Sequence, residues 1–241
     1  MAKTAITGPI QVSSSDVFGE SSTQEHVLGT VGFADNGRTF RYVKAGASNL
    51  VPGTLQQGPA VVANHQNIAV AAAAAVGATS VTVTLGATAA TANQYAGGTL
   101  VVNDVNGEGQ TLRIASHPAA SSSASLVLTL DDPVTVALTT SSEVCLFPNI
   151  YNGVVINPTT PTNAPVGVAV KAITATYYGW VQTHGPVSCL NDAATAVGLG
   201  IAPSQAVAGA VKTMAATLSQ VGYALQAGVD TEYRTVFITI D

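Results

Sequence analysis

The sequence predicts an all-β protein: a β-sandwich or barrel core, an inserted small β module and an extended N-terminal arm. Three observations carry this expectation. Short runs of alternating apolar and polar residues recur with turn signals about every ten residues. Asn-Gly pairs at 36–37 and 106–107 separate such runs, and Asn-Gly is the strongest short hairpin signal. Hydrophobic residues make up 47% of the 241, yet aromatics only 5%, so a core here is built from many small side chains. A chain of this length suits one large domain or two small ones.

Residues 1–25, with "TGPIQVSSSDVFGESSTQE", are polar and turn-rich. They read as an arm with little core of its own. Residues 25–46 read as a hairpin, "VLGTVGFA" and "RTFRYVKA" flanking Asp35-Asn36-Gly37. Strand alternation puts Phe40, Tyr42 and Lys44 on one face and Thr39, Arg41 and Val43 on the other. "NLVPGTLQQGP" (49–59) is a turn-rich connection, and "AVVANHQNIAV" follows as a strand.

Residues 66–150 form the inserted module. Val81, Val83 and Leu85 share a face in one strand, and Leu126, Leu128 and Leu130 in another. Residues 96–117 make a second hairpin turning at Asn106-Gly107. The alanine-rich run "AVAAAAAVGA" fits either a short helix or a strand. The proline-rich stretch within 149–170 returns the chain to the first module, so the core domain is 26–65 together with 151–241. "YYGWVQT" (177–183) and the alternating segment ending at 241 are strands. For 205–218 a helix capped by Ser204 and a pair of short strands both remain open, with strands favoured.

Charge is scarce. Lys, Arg, Asp and Glu are 9% of the chain and the net charge is −5, against about 25% charged residues in an ordinary domain. Two readings fit: a surface that meets partner proteins rather than water, or a secreted β protein with a Ser/Thr coat. An acidic chain lacks the basic footprint of general nucleic-acid binding. The N-terminus has no apolar run of signal-peptide length and no run spans a bilayer, so synthesis in the cytoplasm and no membrane are expected. Cys145 and Cys189 lie in apolar settings; they could pair, but buried free thiols are favoured.

Catalytic signatures are missing. There is no Gly-x-Ser-x-Gly turn and no phosphate loop. His26, His65, His117 and His184 are scattered and read as polar loop or surface residues. "DVNGEG" (104–109) opens like a calcium loop but has Ala115 where a bidentate Glu is needed, so a hairpin turn is preferred. Asp131-Asp132 before Pro133 reads as a turn, and Asp230 and Glu232 as exposed partners of Arg234. No enzyme, cofactor or metal is expected.

One stretch stands out: "GRTFRYVKAG" (37–46) holds three of the eight Lys and Arg. Arg beside aromatic residues is the composition of interface anchors, whereas a charge-protected edge strand needs no partner. Arg38, Arg41, Tyr42 and Lys44 are therefore the contact candidates. Tyr177, Tyr178 and Trp180 form the one dense aromatic cluster, read as core or, alternatively, as a sugar platform.

Several segments together resemble small structural proteins encoded beside the major capsid protein of tailed bacteriophages. These are "HVLGTVGFADNGRTFRYVKAGASNLVPGTLQQ", "ANQYAGGTLVVNDVNGEGQTLRIASHPAA", "LTLDDPVTVAL", "YYGWVQTHGPVSCL" and "VGYALQAGVDTEYRTVFITID". The resemblance covers most of 26–241. It implies a head decoration, or cement, protein on the outer surface of the virion: β-rich and homo-oligomeric, with a trimer favoured over a dimer. It would bind the major capsid protein and bridge adjacent capsid subunits. A carbohydrate-binding module or a tail or fibre component is the alternative.

Overall fold

The structure is a computed structural model that describes residues 8–241; residues 1–7 of the expected arm lie outside the described residues. The chain divides into two compact units. One comprises residues up to Pro59 together with Ile150–Asp241, and the other is Ala60–Asn149.

The first unit is a single sheet that closes on itself. Its strands are β1 (Ile10–Gln11), β2 (Val31–Phe33), β3 (Thr39–Ala45) and β4 (Leu55–Gln57). The second unit contributes β5 (Ile68–Ala72), β6 (Ser80–Thr84), β7 (Thr99–Asp104), β8 (Thr111–Ser116), β9 (Ser125–Leu130) and β10 (Glu143–Phe147). The chain then supplies the first unit with β11 (Asn152–Ile156), β12 (Pro165–Ala169), β13 (Tyr178–Leu190), β14 (Gly200–Pro203), β15 (Val211–Thr213), β16 (Gly222–Ala224) and β17 (Tyr233–Thr239).

In the first unit β3, β11, β4, β12 and β13 pair in turn, and β13 pairs back onto β3 to close the ring. Small β-branched residues and alanine fill it: Val43, Ala45, Val154, Val166, Ala169 and Val181 are buried together with Leu50 and Ile173. A ring this narrow leaves no room for large side chains, and at Gly167 it leaves none for any. A Cβ there would stand 2.7 Å from the Gln182 carbonyl oxygen, and φ is +144°, so glycine is required.

β13 is thirteen residues long because it serves two layers. Its first half pairs with β3, and its second half, from His184 to Leu190, pairs with β17. Strands β17, β16, β14 and β15 extend the sheet from there. The inner face of these strands and of the second half of β13 carries Val187, Cys189, Ile201, Val211, Val236 and Ile238 and packs with Leu55 and Val168 of the ring strands. This is the sandwich part of the fold. Residues 205–218 contain β15 and no helix; Ser204 instead caps a turn, its hydroxyl accepting the Ala206 and Val207 amides at 2.9 Å.

Residues 10–21 do not stand free, which corrects the expectation of an arm without core. β1 pairs in parallel with β2. Ser13 and Asp16 form a capping box around the single turn α1 (Ser14–Val17), with Ser13 N donating to Asp16 Oδ2 at 2.7 Å. That turn aims Val12 and Val17 at Phe40, Tyr42 and Trp180, and both valines are buried. Ser21 then bridges to Tyr178 by two backbone hydrogen bonds. The "SSSD" run is a legible capping signature that a polarity-based reading passes over.

The second unit is a closed antiparallel barrel of six strands in the order β10-β5-β6-β9-β8-β7. Alternation places Val81, Val83, Leu126, Leu128 and Leu130 in its interior. The alanine-rich run begins in β5 and continues through an isolated bridge at Ala74 and a turn, with no helix. The 104–109 stretch is the turn between β7 and β8, with Gly107 and Gly109 at positive φ. Its core also holds polar groups. His65 and His117 are buried, against the expectation of surface residues. His117 Nε2 accepts the Tyr95 amide at 2.9 Å while Nδ1 donates to the Pro118 carbonyl at 2.8 Å. His65 Nε2 donates to the Thr88 carbonyl at 2.9 Å, leaving Nδ1 to accept the Tyr95 hydroxyl. Every buried ring nitrogen thus has a partner, as burial demands. The partners of each ring fix which nitrogen donates and which accepts.

Candidate functional site

The 37–46 stretch forms β3 and the turn before it, and β3 is covered on both sides. Val43 and Ala45 enter the ring. Phe40 and Tyr42 enter the outer layer with Trp180, the Tyr42 ring lying 5.1 Å from Trp180 and 6.1 Å from Tyr178. The Tyr42 hydroxyl accepts the Glu25 amide at 3.1 Å, and burial raises its pKa. Tyr42 is only 2% exposed, so it is a core residue and not a surface contact. The strand pattern alone could not show this, because the layer that covers it comes from residues 12–26.

The three cations diverge. Arg41 forks onto Asp241, Nε to Oδ2 at 2.7 Å and Nη2 to Oδ1 at 3.1 Å, and Nη1 donates to the Gly29 carbonyl at 2.8 Å. Its charge is consumed inside the unit. Lys44 Nζ lies 5.4 Å from the centre of the Tyr178 ring. Arg38 lies over Phe40, 5.3 Å from the ring centre, and donates from Nε to Asn36 Oδ1 at 3.1 Å. The cluster in the sequence is therefore three separate cation–aromatic seats and no single basic patch.

Arg38 is different from the rest. Of the four arginines, Arg41, Arg113 and Arg234 each pair with a carboxylate; Arg38 has none among the described residues. It sits on the wall of an open cleft of about 510 Å³, which Phe18, Pro52, Val170, Pro186 and Tyr233 also line. Gly185 makes the seat possible: a Cβ there would stand 3.2 Å from Arg38 Cγ. Phe18 and Tyr233 are about half exposed. The cleft thus offers an apolar floor and one guanidinium with its fork open to a carboxylate.

The lining of the cleft is an apolar wall with one cation. Ser188 is the one hydroxyl besides Tyr233 among its lining residues, and no histidine or carboxylate lines it. Among the described residues no group of three His, Cys, Asp or Glu is placed to hold a metal ion. Cys189 is fully buried and its thiol is pushed up to about 12 by burial; Cys145 is half-buried, and both are free. Trp180 is 3% exposed, so the 177–180 aromatics do not make a sugar platform centred on it.

Sequence reasoning singled out Arg38 but missed the rest of the cleft. Phe18, Pro52, Pro186 and Tyr233 come from four distant segments and share no local signature. Comparison with protein-family models, with curated protein sequences and with solved structures gave no match to this chain.

Proposed function

We propose that this chain is a non-catalytic structural protein of a virion that decorates a bacteriophage head and stabilises it by bridging adjacent capsid subunits. The observation that carries the reading is Arg38 at the wall of an apolar cleft, with no carboxylate of its own. Such a site takes an apolar side chain flanked by an acidic group on a partner surface, here that of the major capsid protein. The scarcity of charge and the resemblance of residues 26–241 to head decoration proteins support it. In this reading the protein works as a homo-oligomer on the outer capsid surface, a trimer favoured over a dimer, and neither nucleic acid nor membrane is involved. A lattice of such sites multiplies modest contacts into avidity. The glycan-binding alternative rested on Tyr177, Tyr178 and Trp180, and the burial of Trp180 removes its main support.

The test is co-sedimentation with undecorated expanded heads and with unexpanded procapsids. Saturable binding to expanded heads is expected, with Arg38→Glu weakening it about tenfold or more, the scale of a lost interface anchor. Absence of binding to both particles overturns the reading.

A further inference from the structure

The guanidinium of Arg38 rests on a neighbour that the cleft does not include. Asn36 Oδ1 takes two hydrogen bonds from Arg38, one from Nε at 3.1 Å and one from the backbone amide at 3.3 Å. Both partners donate, so the atom they face is the carbonyl oxygen of the side-chain amide. The adjacent carboxylate, Asp35, is turned elsewhere and accepts Gln11 Nε2 at 2.5 Å. Arg38 thus sits against a neutral amide where the other three arginines each have a carboxylate.

Asn36 is followed by Gly37. The backbone nitrogen after an asparagine can attack its side-chain amide, and glycine there puts no Cβ in the way. The Asn-Gly pair occurs three times, at 36–37, 106–107 and 152–153, and the fold treats the three differently. Asn152 belongs to β11 and pairs with Lys44 of β3, so its backbone is held in the ring. The Asn106 carbonyl accepts the Ser142 hydroxyl at 2.7 Å, and a Cβ on Gly107 would stand 2.5 Å from Leu138 Cδ2. That turn is packed against the barrel. Asn36 and Gly37 are both exposed. Gly37 has φ +78° and nothing within 4 Å of where a Cβ would be. Its amide donates to the Ala34 carbonyl at 3.1 Å, a single turn bond that must open for attack. Of the three pairs, this one has the backbone freest to close on its side chain. Arg38 also activates the amide. Negative charge develops on the side-chain oxygen as the Gly37 nitrogen adds to Cγ, and a guanidinium already donates to that oxygen.

We propose that Asn36 is a site of spontaneous deamidation, and that the reaction supplies Arg38 with a carboxylate and closes its fork. The Gly37 amide nitrogen gives its proton to solvent base and bonds to Asn36 Cγ. The Cγ–Nδ2 bond breaks, and the nitrogen leaves as ammonia after taking up a proton from water. A five-membered succinimide remains. Water then opens one of its two carbonyls, giving aspartate or isoaspartate. Nothing is oxidised or reduced. Either product adds one negative charge beside Arg38, and aspartate keeps an oxygen where Nε now donates. The charge-assisted pair is stronger than the neutral one it replaces. Its consequence for partner binding rests on the decoration reading: a chain that meets its shell promptly binds with the fork open, and one that waits loses it. The chemistry and the closure are tested without capsids, so the two readings can fail separately.

The experiment incubates the purified full chain in mildly alkaline buffer and follows the amide-to-acid mass change by peptide mapping. In the folded protein Asn36 should react about tenfold faster than Asn106 or Asn152, whereas in urea the three should react at similar rates. Arg38→Ala should slow Asn36 about threefold or more in the folded protein and leave the rate in urea unchanged. Closure is read by NMR titration of Asn36→Asp: the new carboxyl should titrate lower than it does in Asn36→Asp combined with Arg38→Ala. Circular dichroism checks that each variant is folded. Reaction at Asn36 no faster than at the other two pairs, a rate indifferent to Arg38→Ala, or a carboxyl that titrates alike with and without Arg38 would each overturn the proposal.

Discussion

Arg41 and Asp241 lie 200 residues apart in the chain and meet in a two-pronged ion pair, at 2.7 and 3.1 Å. The pair ties β3, a strand of the ring, to the segment that follows β17. Both side chains are about a quarter exposed, so solvent screens them in part, while the paired hydrogen bonds add geometric strength.

Breaking this pair should loosen the first unit. Arg41→Ala and Asp241→Asn are each expected to cost about 1 kcal/mol. A double-mutant cycle in urea should show the two losses to be non-additive. Burial pushes the Asp241 carboxyl up, but hydrogen bonds from Arg41 and Thr183 and the Arg41 charge outweigh it, leaving its pKa lowered. A carboxylate with a depressed folded pKa stabilises above its unfolded value. That contribution should disappear as pH falls through the folded value, and Asp241→Asn should abolish this part of the acid dependence.

The six-strand barrel should respond to milder acid. His117 is buried, which lowers its pKa; the bond to the Pro118 carbonyl opposes this, and nearby His65 adds to the lowering. Protonation would also place an N–H against the Tyr95 amide that Nε2 now accepts. The unfolded chain therefore takes up the proton first. Stability from this site is complete above the ordinary histidine value of 6.5 and should decline as pH drops below it towards the folded value. Amide hydrogen exchange in β7 and β8, compared at pH 7 and pH 5 after correction for intrinsic rates, reads this directly. Protection independent of pH would contradict the assignment.

Tyr95 should be needed for its hydroxyl as well as its ring. The ring is fully buried, and burial raises the phenol to about 12. Tyr95→Phe leaves His65 Nδ1 without its donor and should destabilise the barrel by about 1–3 kcal/mol, measurable as a shift of its denaturation midpoint.

Gly222 should tolerate no side chain. A Cβ there would lie 2.1 Å from the Phe237 carbonyl oxygen, a backbone atom that cannot turn aside. Gly222→Ala is expected to cost about 3 kcal/mol through overpacking. Gly8→Ala, with nothing within 4 Å, should be neutral in the same thermal unfolding assay.

The two thiols should separate cleanly. Cys145 is half-buried and Cys189 fully buried with its pKa raised to about 12. A thiol reagent at pH 8 should label Cys145 in the native protein and reach Cys189 only on unfolding. Rapid modification of both would contradict the packing of the sandwich layer.

Much of this fold could be read from residues alone, because a strand's in-and-out alternation is local. The period of two in 125–130 and 80–84 put the right leucines and valines inside the barrel, and Asn36-Gly37 and Asn106-Gly107 marked two hairpin turns. The low charge and the all-β class followed from composition and pattern. Arg38 could be singled out for the same reason: a cation beside aromatics is visible in a line of sequence.

What alternation cannot say is which strand lies beside which. Tyr42 has the pattern of an outward residue, yet Val12, Val17 and Trp180 cover it. Arg41 looks like an anchor for a partner until Asp241 arrives to neutralise it, and His65 and His117 look like loop residues until the barrel closes around them. The cleft at Arg38 exists only once β13 has been shared between two layers. Local sequence sets the face each side chain takes. Tertiary pairing, which joins segments up to 200 residues apart, decides which faces are buried, which charges are neutralised, and which groups remain for a partner.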